Sequence, residues 1–260
     1  MFLIRMKLKK RLDTLLVEKG LALSIEEAQA LVMTGKVYGD NQQPLTKPGL
    51  LLEESASFFL KDSKSLYVSR AGEKLKCALD GFSISVADKV FLDIGSSTGG
   101  FSDCLLQHGA KHVFAVDVGY GIIHEKLRKN PRISLLERTN ARLLKREELL
   151  GLSPLAARID AVVMDVSFIS IQKIIEPLSQ SFPEVNEWIF LFKPQFEVEK
   201  KDILTGGIVR NQEVVETAKT QFETWMRNFS FQLVSPAIES SLSGKKSGNI
   251  ESLYYFRKNL

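Results

Sequence analysis

Residues 89–106, KVFLDIGSSTGGFSDCLL, decide how this 260-residue chain folds. The stretch opens on large apolar side chains with no polar alternation, as expected of a strand buried on both faces of a parallel sheet. A loop of tiny residues follows from Gly95 to Gly99, and Gly100 opens a helix. Small residues at such a turn let backbone N–H groups and a helix N-terminus come close to a ligand. Similar apolar runs recur at HVFAVDVG (112–119), ISLLE (133–137), IDAVVMDVSF (159–168) and EWIFLFKPQF (187–196). Helical stretches such as FSDCLLQHG (101–109) and ISIQKIIEPLSQS (169–181) lie between them. This alternation predicts a doubly wound α/β domain over 69–260, with one more helix at 213–228. FQLVSPAI (231–238) and SLYYFRK (252–258) read as antiparallel additions to its sheet.

Upstream the pattern is different. RLDTLLVEKG (11–20) has Leu12, Leu15 and Leu16 at helical spacing and stops at Gly20. LSIEEAQALVMTG (23–35) offers Ser24 as an N-cap with Glu27 three residues on, then Ala28, Leu31 and Val32 on one face. Residues 36–60 break into short apolar pieces at Gly-Asp-Asn and Lys-Pro-Gly turns, which suits short strands. Residues 1–60 therefore form a small α+β unit, and the polar 61–68 (KDSKSLYV) reads as a linker.

Composition narrows the function classes. Hydrophobic residues are 44% of the chain, enough for a stable core, and the net charge of +4 permits a nucleic-acid partner without demanding one. The charge is concentrated at the start, MFLIRMKLKKR, whose apolar part is too short for a secretory signal. No uninterrupted apolar window of about 18 residues exists, so no spanning helix is expected. Cys77 and Cys104 have neither metal spacing nor a partner pattern and read as reduced thiols of a cytoplasmic protein. No metal site and no oligomer signal are read from the chain.

The loop itself separates two nucleotide ligands. A dinucleotide fingerprint needs Gly-x-Gly-x-x-Gly. Here the spacing is Gly95-x-x-x-Gly99-Gly100, with Ser97 where the second glycine would stand. Asp93, two residues before Gly95, favours the Asp-x-Gly loop of S-adenosylmethionine enzymes, where an acid meets no pyrophosphate. Asp117 ends the second strand, 22 residues after Gly95, where a carboxylate can accept both hydroxyls of a ribose. Asn140, just after the third strand, is the candidate for the adenine side. Asp165 and Lys193 stand at the carboxyl ends of the fourth and fifth strands, beside the ligand crevice of such a sheet. Lys74 in SRAGEKLKCAL and Glu251 in GNIESLYY complete the set of candidate reactive groups.

Taken together these segments resemble the TlyA-type (hemolysin A) proteins, which join an S4-like RNA-binding module to an FtsJ-like ribose 2'-O-methyltransferase. The matching stretches are RLDTLLVEKGLALS, TGKVYGDNQQPLTKPG, YVSRAGEKL, LDIGSSTGGFSDCLLQHGA, VDVGYG, ERTNAR, DVSFIS, KPQFE and GGIVR, in order. The resemblance implies a Rossmann-like, S-adenosylmethionine-dependent methyltransferase domain that modifies ribosomal RNA, with cytidine as the target base. It also implies that Asp93, Gly95, Ser96, Gly99, Gly100, Phe101, Asp117 and Asn140 meet the cofactor, Gly99 and Gly100 facing it. RNA contacts would come from Lys9, Lys10, Arg11, Ser24, Lys36 and Arg70. A Lys-Asp-Lys-Glu tetrad would map onto Lys74, Asp165, Lys193 and Glu251. In that scheme Lys193 is the base, with burial and the Lys74 cation favouring its neutral form while both acids hold the ammonium groups.

Two departures stand out. Ile25 follows Ser24 where the family has Arg, so affinity for RNA is expected to lean on Lys9, Lys10, Arg11 and Lys36. SGKKSGN replaces a Gly-Pro before Gly-Asn and adds Lys245 and Lys246, read as solvated. The competing readings are a membrane-active hemolysin, for which no amphipathic or spanning segment is found, and a silent RNA-binding assembly factor.

Overall fold

A computed structural model describes residues 9–33, 35–40, 43–60, 66–240 and 248–259. The chain divides into two compact units, 1–64 and 65–260. Lys245, Lys246 and the first eight residues lie outside the described residues.

In the first unit, β1 (Lys9–Arg11) leads into α1 (Leu12–Glu18), α2 (Ile25–Met33), β2 (Val37–Gly39), β3 (Leu51–Glu53) and β4 (Phe58–Leu60). β1 pairs antiparallel with β3, and β2 with β4. Leu12, Leu15 and Leu16 of α1 pack with Ala28 and Val32 of α2, Val37 and Phe58 into one small core. The basic run thus ends in a strand whose partner lies some forty residues on, and nothing local announces it. Ser24 Oγ accepts from the Glu27 N–H at 3.2 Å, and the Glu27 carboxylate reaches back to the Leu23 N–H at 2.7 Å. That closes the start of α2 as a capping box does.

The second unit runs α3 (Ala71–Gly81), β5 (Val90–Ile94), α4 (Gly100–Gln107), β6 (His112–Val116), α5 (Glu125–Arg128), β7 (Ile133–Leu136), α6 (Arg146–Leu150), β8 (Ala161–Met164), α7 (Gln172–Ser181), β9 (Glu187–Phe192), α8 (Pro194–Glu197), α9 (Gln212–Asn228), β10 (Phe231–Leu233), β11 (Ile238–Glu239) and β12 (Ser252–Lys258). The sheet order is β10-β12-β9-β8-β5-β6-β7, with β11 on β12. Pairs from β9 through β7 are parallel, and β12 joins β9, β10 and β11 antiparallel.

The continuous apolar runs follow from burial on both faces. Leu92, Phe114, Val162 and Phe190 point into one core with α7 and α9, while Phe91, Val113, Val163 and Ile189 point into the other with α3 and α4. Strand order reverses at β5, whose neighbours are β6 and β8, and this is where such sheets open a crevice at their carboxyl ends.

Three expectations need correction. The segment 159–168 is strand only to Met164 and the segment 187–196 only to Phe192, because Asp165 and Pro194 start irregular or helical backbone. The stretch expected to be linker ends in core residues. Tyr67 is buried in the second unit, and the Val68 N–H donates to Asp103 Oδ2 at 2.8 Å.

Candidate active site

A cavity of about 600 Å³ opens at the carboxyl ends of β5, β6 and β8, lined among others by Gly95, Ser96, Phe101, Asp117, Asn140 and Lys193. Gly95 sits at φ +77°, and a Cβ there would come within 3.0 Å of Val166. Its N–H and that of Ser96 both point to the Val116 carbonyl, tying the loop to β6.

Gly99 and Gly100 have a packing reason to be small besides the one expected. Neither lines the cavity. A Cβ on Gly99 would collide with Leu127, and one on Gly100 with Ser69 Oγ and the start of α3. Gly99 packs against Leu127 and Ile123, and Gly100 against the start of the helix that carries Lys74, so neither position has room for a side chain.

Asp93 also stands behind the cavity rather than in it. It is fully buried, and its Oδ2 accepts from Ser102 Oγ at 2.6 Å. Burial pushes its carboxyl up to about 7, and the charges of Asp165 and Asp117 push the same way against the Ser102 hydrogen bond. Asp117, by contrast, lines the cavity. Its oxygens accept from the N–H groups of Ser97 and Gly119, each at 2.7 Å. Asn140 caps a short turn by accepting from the Arg142 N–H at 3.1 Å. The group it can offer a ligand is therefore its amide donor.

The four candidate reactive residues form two ion pairs. Lys193 Nζ lies 2.6 Å from Asp165 Oδ1 and donates to Ser167 Oγ at 2.7 Å, all three groups lining the cavity. Lys74 Nζ lies 2.5 Å from Glu251 Oε2, across 177 residues of sequence, and this pair is not part of the lining. Lys193 and Glu251 are 7% and 8% exposed, so neither is a snorkelling surface charge. Asn249 fixes the approach to Glu251. It accepts from the Val209 N–H at 2.8 Å and donates to the Gly207 carbonyl at 2.7 Å, fastening GGIVR to the start of β12.

Sequence reasoning missed Ser167 and Glu197, which sit inside matched motifs, and Asn249 in GNIESLYY, none of them with an assigned role. It also missed Phe168, 92% exposed at φ +67° on the cavity wall, its ring 5.5 Å from that of Phe196. Among the described residues no three His, Cys, Asp or Glu side chains group as metal ligands would. No described helix is long and apolar enough to cross a membrane.

Of the candidate RNA contacts, several are already engaged within the first unit. Lys10 pairs with Glu18 and Glu54 at 2.9 and 2.8 Å. Arg11 pairs with Asp13 at 2.6 Å, and Ser24 is used as the cap. Lys9 is exposed and Lys36 half-buried, while Arg70 is exposed at the start of α3 in the second unit. The Arg11 guanidinium holds the Asp13 carboxyl down at about 2 against the cost of its burial.

Comparison with known proteins agrees with this geometry. Residues 67–258 match the FtsJ-like methyltransferase family, and residues 10–56 match the S4 domain. A Bacillus subtilis protein provisionally named rRNA methyltransferase YqxC is 40% identical, over 95% of this chain and 85% of that one. The 16S/23S rRNA (cytidine-2'-O)-methyltransferase TlyA of Mycobacterium tuberculosis is 38% identical, over 96% of this chain and 90% of that one. A solved structure from Streptococcus thermophilus, provisionally named a hemolysin, superposes with a TM-score of 0.70 at 34% identity, covering 97% of this chain and 90% of that one.

Proposed function

The chain belongs to the FtsJ-like methyltransferases, here joined to an S4 domain, and from that premise we propose that it methylates the ribose 2'-hydroxyl of a cytidine in ribosomal RNA, using S-adenosylmethionine. The observation that carries the reading is the Lys193–Asp165 pair on the wall of a cavity whose other wall is the glycine loop. The residues present fit the cofactor. Gly95, Ser96, Ser97 and Thr98 line the cavity with small side chains, and Asp117 presents a carboxylate to ribose hydroxyls. Phe101 and Val118 supply apolar wall, and the Asn140 amide is a donor.

When bound, S-adenosylmethionine supplies a methyl group already activated by its sulfonium charge. A ribose hydroxyl is a weak nucleophile, so a base must take its proton as it reacts. Lys193, in its neutral form, would accept that proton on Nζ as the hydroxyl takes up the methyl group that the bound cofactor would supply. Asp165 then stabilises the ammonium so formed. Lys74 and Glu251 neutralise each other where α3 meets β12. The exposed Phe168 ring offers a stacking face to the incoming base. Ribosomal RNA as substrate places the work in the cytoplasm.

The test is transfer of labelled methyl from S-adenosylmethionine to isolated ribosomal subunits, followed by mapping of the modified nucleotide. Label on a cytidine 2'-oxygen supports the proposal. Label on a base, or none in RNA, would sink it.

A further inference from the structure

The loops that follow β8 and β9 are laced together at more points than the ion pair requires. Lys193 holds Asp165 and Ser167, as described. Four residues on, the Glu197 carboxylate accepts from Ser170 Oγ at 2.7 Å and from the Ile171 N–H at 2.8 Å. Between those anchors the chain turns at Phe168 with a left-handed φ of +67°, a backbone state that persists only when its surroundings enforce it. Burial raises the Glu197 carboxyl above its ordinary range, and the hydrogen bonds from the Ile171 N–H and the Ser170 hydroxyl oppose that rise.

We propose that Ser167 and Glu197 are positioning residues for methyl transfer, which together aim the Lys193 nitrogen at the ribose hydroxyl. The inference rests on the reading that Lys193 takes the 2'-proton. A lysine nitrogen is tetrahedral. Ser167 Oγ meets it in hydrogen-bonding geometry, whereas Asp165 Oδ1, 2.6 Å away, is an ion-pair partner without a directional hydrogen bond, so Ser167 is the contact that aims the nitrogen. Lysine has a flexible four-carbon stem, and one partner alone would leave the nitrogen free to swing. Ser167 supplies the second partner, and it stands where it does because the turn after it is held. Glu197 holds that turn from the far side without approaching the reacting atoms itself.

The experiment is single-turnover methyl transfer to ribosomal subunits, alongside calorimetric binding of S-adenosylmethionine, for the full-length protein. Ser167→Ala and Glu197→Ala should each slow transfer by about tenfold to a hundredfold, the range expected when a reacting group is misplaced, while cofactor affinity stays close to wild type. Ser167→Thr keeps the hydroxyl. Glu197→Gln keeps an acceptor for Ile171 and gives a donor to Ser170. Both should recover most of the rate. In a Lys193→Ala background, Ser167→Ala should cost nothing further, because there is no nitrogen left to aim. Near-normal transfer by Ser167→Ala, or an equal cost with and without Lys193, overturns the inference. So does failure of the threonine and glutamine variants to restore the rate. If Glu197→Ala does not fold, the exposed Ser167 decides alone. Absence of transfer by the wild-type protein removes the underlying reading and this inference with it, whereas normal wild-type transfer with indifferent variants removes the inference only.

Discussion

Arginine in place of Lys193 would keep the charge and nearly the length of the side chain, and would take away only its ability to lose a proton. If Lys193 is the base, Lys193→Arg and Lys193→Ala should both lose about a hundredfold or more in single-turnover rate, the usual contribution of general-base catalysis. Cofactor binding should survive both changes; a near-normal rate for Lys193→Arg would make Lys193 an electrostatic holder. Asp117 asks a different question. Its carboxylate faces the cavity and also gathers the Ser97 and Gly119 N–H groups. Asp117→Ala should weaken S-adenosylmethionine binding by about 1–3 kcal/mol, the cost of losing a charged hydrogen-bond partner. Calorimetric titration reads this directly, and unchanged affinity would move the ribose hydroxyls elsewhere. Asp93 is legible through pH. An aspartate in the unfolded chain titrates near about 4, whereas folded Asp93 is pushed up to about 7. The folded state therefore holds the proton longer. Its contribution to stability is complete below the unfolded value and is lost as pH rises through the folded one. The urea midpoint of the wild type should decline between pH 5 and 8 relative to that of Asp93→Asn, which has no such proton to lose. Parallel pH profiles for the two proteins would assign the decline to another group.

At the scale of elements, what the sequence revealed and what it hid have the same cause. Strands β5, β6, β8 and β9 are buried on both faces, so their runs are almost wholly apolar and could be read directly. Their ends could not. Phe168 and Phe196 look like strand residues by hydrophobicity, yet one is exposed on a turn and the other sits in α8. The β1–β3 pairing and the Lys74–Glu251 pair join residues far apart in sequence, and no local pattern encodes such a partner. The motif residues themselves were legible, but a packing role for Gly99 and Gly100 was not, because a tiny residue serves a ligand and a crossing chain equally well. That difference can be measured. A Cβ on Gly100 would sit 2.3 Å from Ser69 Oγ, 2.8 Å from Ala71 Cβ and 2.9 Å from the Gly72 nitrogen, so α3 would have to move. Gly100→Ala should therefore lower stability by about 1–3 kcal/mol, as overpacked cores do, visible in chemical denaturation without any ligand. A variant as stable as wild type but defective in cofactor binding would restore the original role to this glycine.

At the scale of the whole molecule, each unit closes its own core. Leu12, Leu15, Leu16, Val32 and Phe58 form one cluster, and the two faces of the large sheet form the others. Every residue that lines the cavity belongs to the second unit. Division of labour follows from this separation. The S4 match lies wholly in the first unit and the methyltransferase match wholly in the second. A protein lacking residues 1–62 should bind S-adenosylmethionine nearly as well as the full chain and should fail to methylate ribosomal subunits. Contacts made by the first unit are expected to be with phosphate rather than base edges, so affinity of the full chain for RNA should fall steeply with added salt. Each phosphate contact contributes roughly 0.7–0.9 to the slope of log affinity against log salt. Lys9, exposed, should account for about one such step, measured by comparing the slopes of wild type and Lys9→Ala. Arg11 should behave differently. Its guanidinium is committed to the buried Asp13, so Arg11→Ala should destabilise the first unit by about 1–3 kcal/mol, the cost of stranding a buried acceptor, beyond any change in slope. The truncated protein decides the scheme. If it methylates subunits at the full rate, substrate recognition belongs to the catalytic unit, and the salt dependence must be sought among that unit's own cations, Arg70 first.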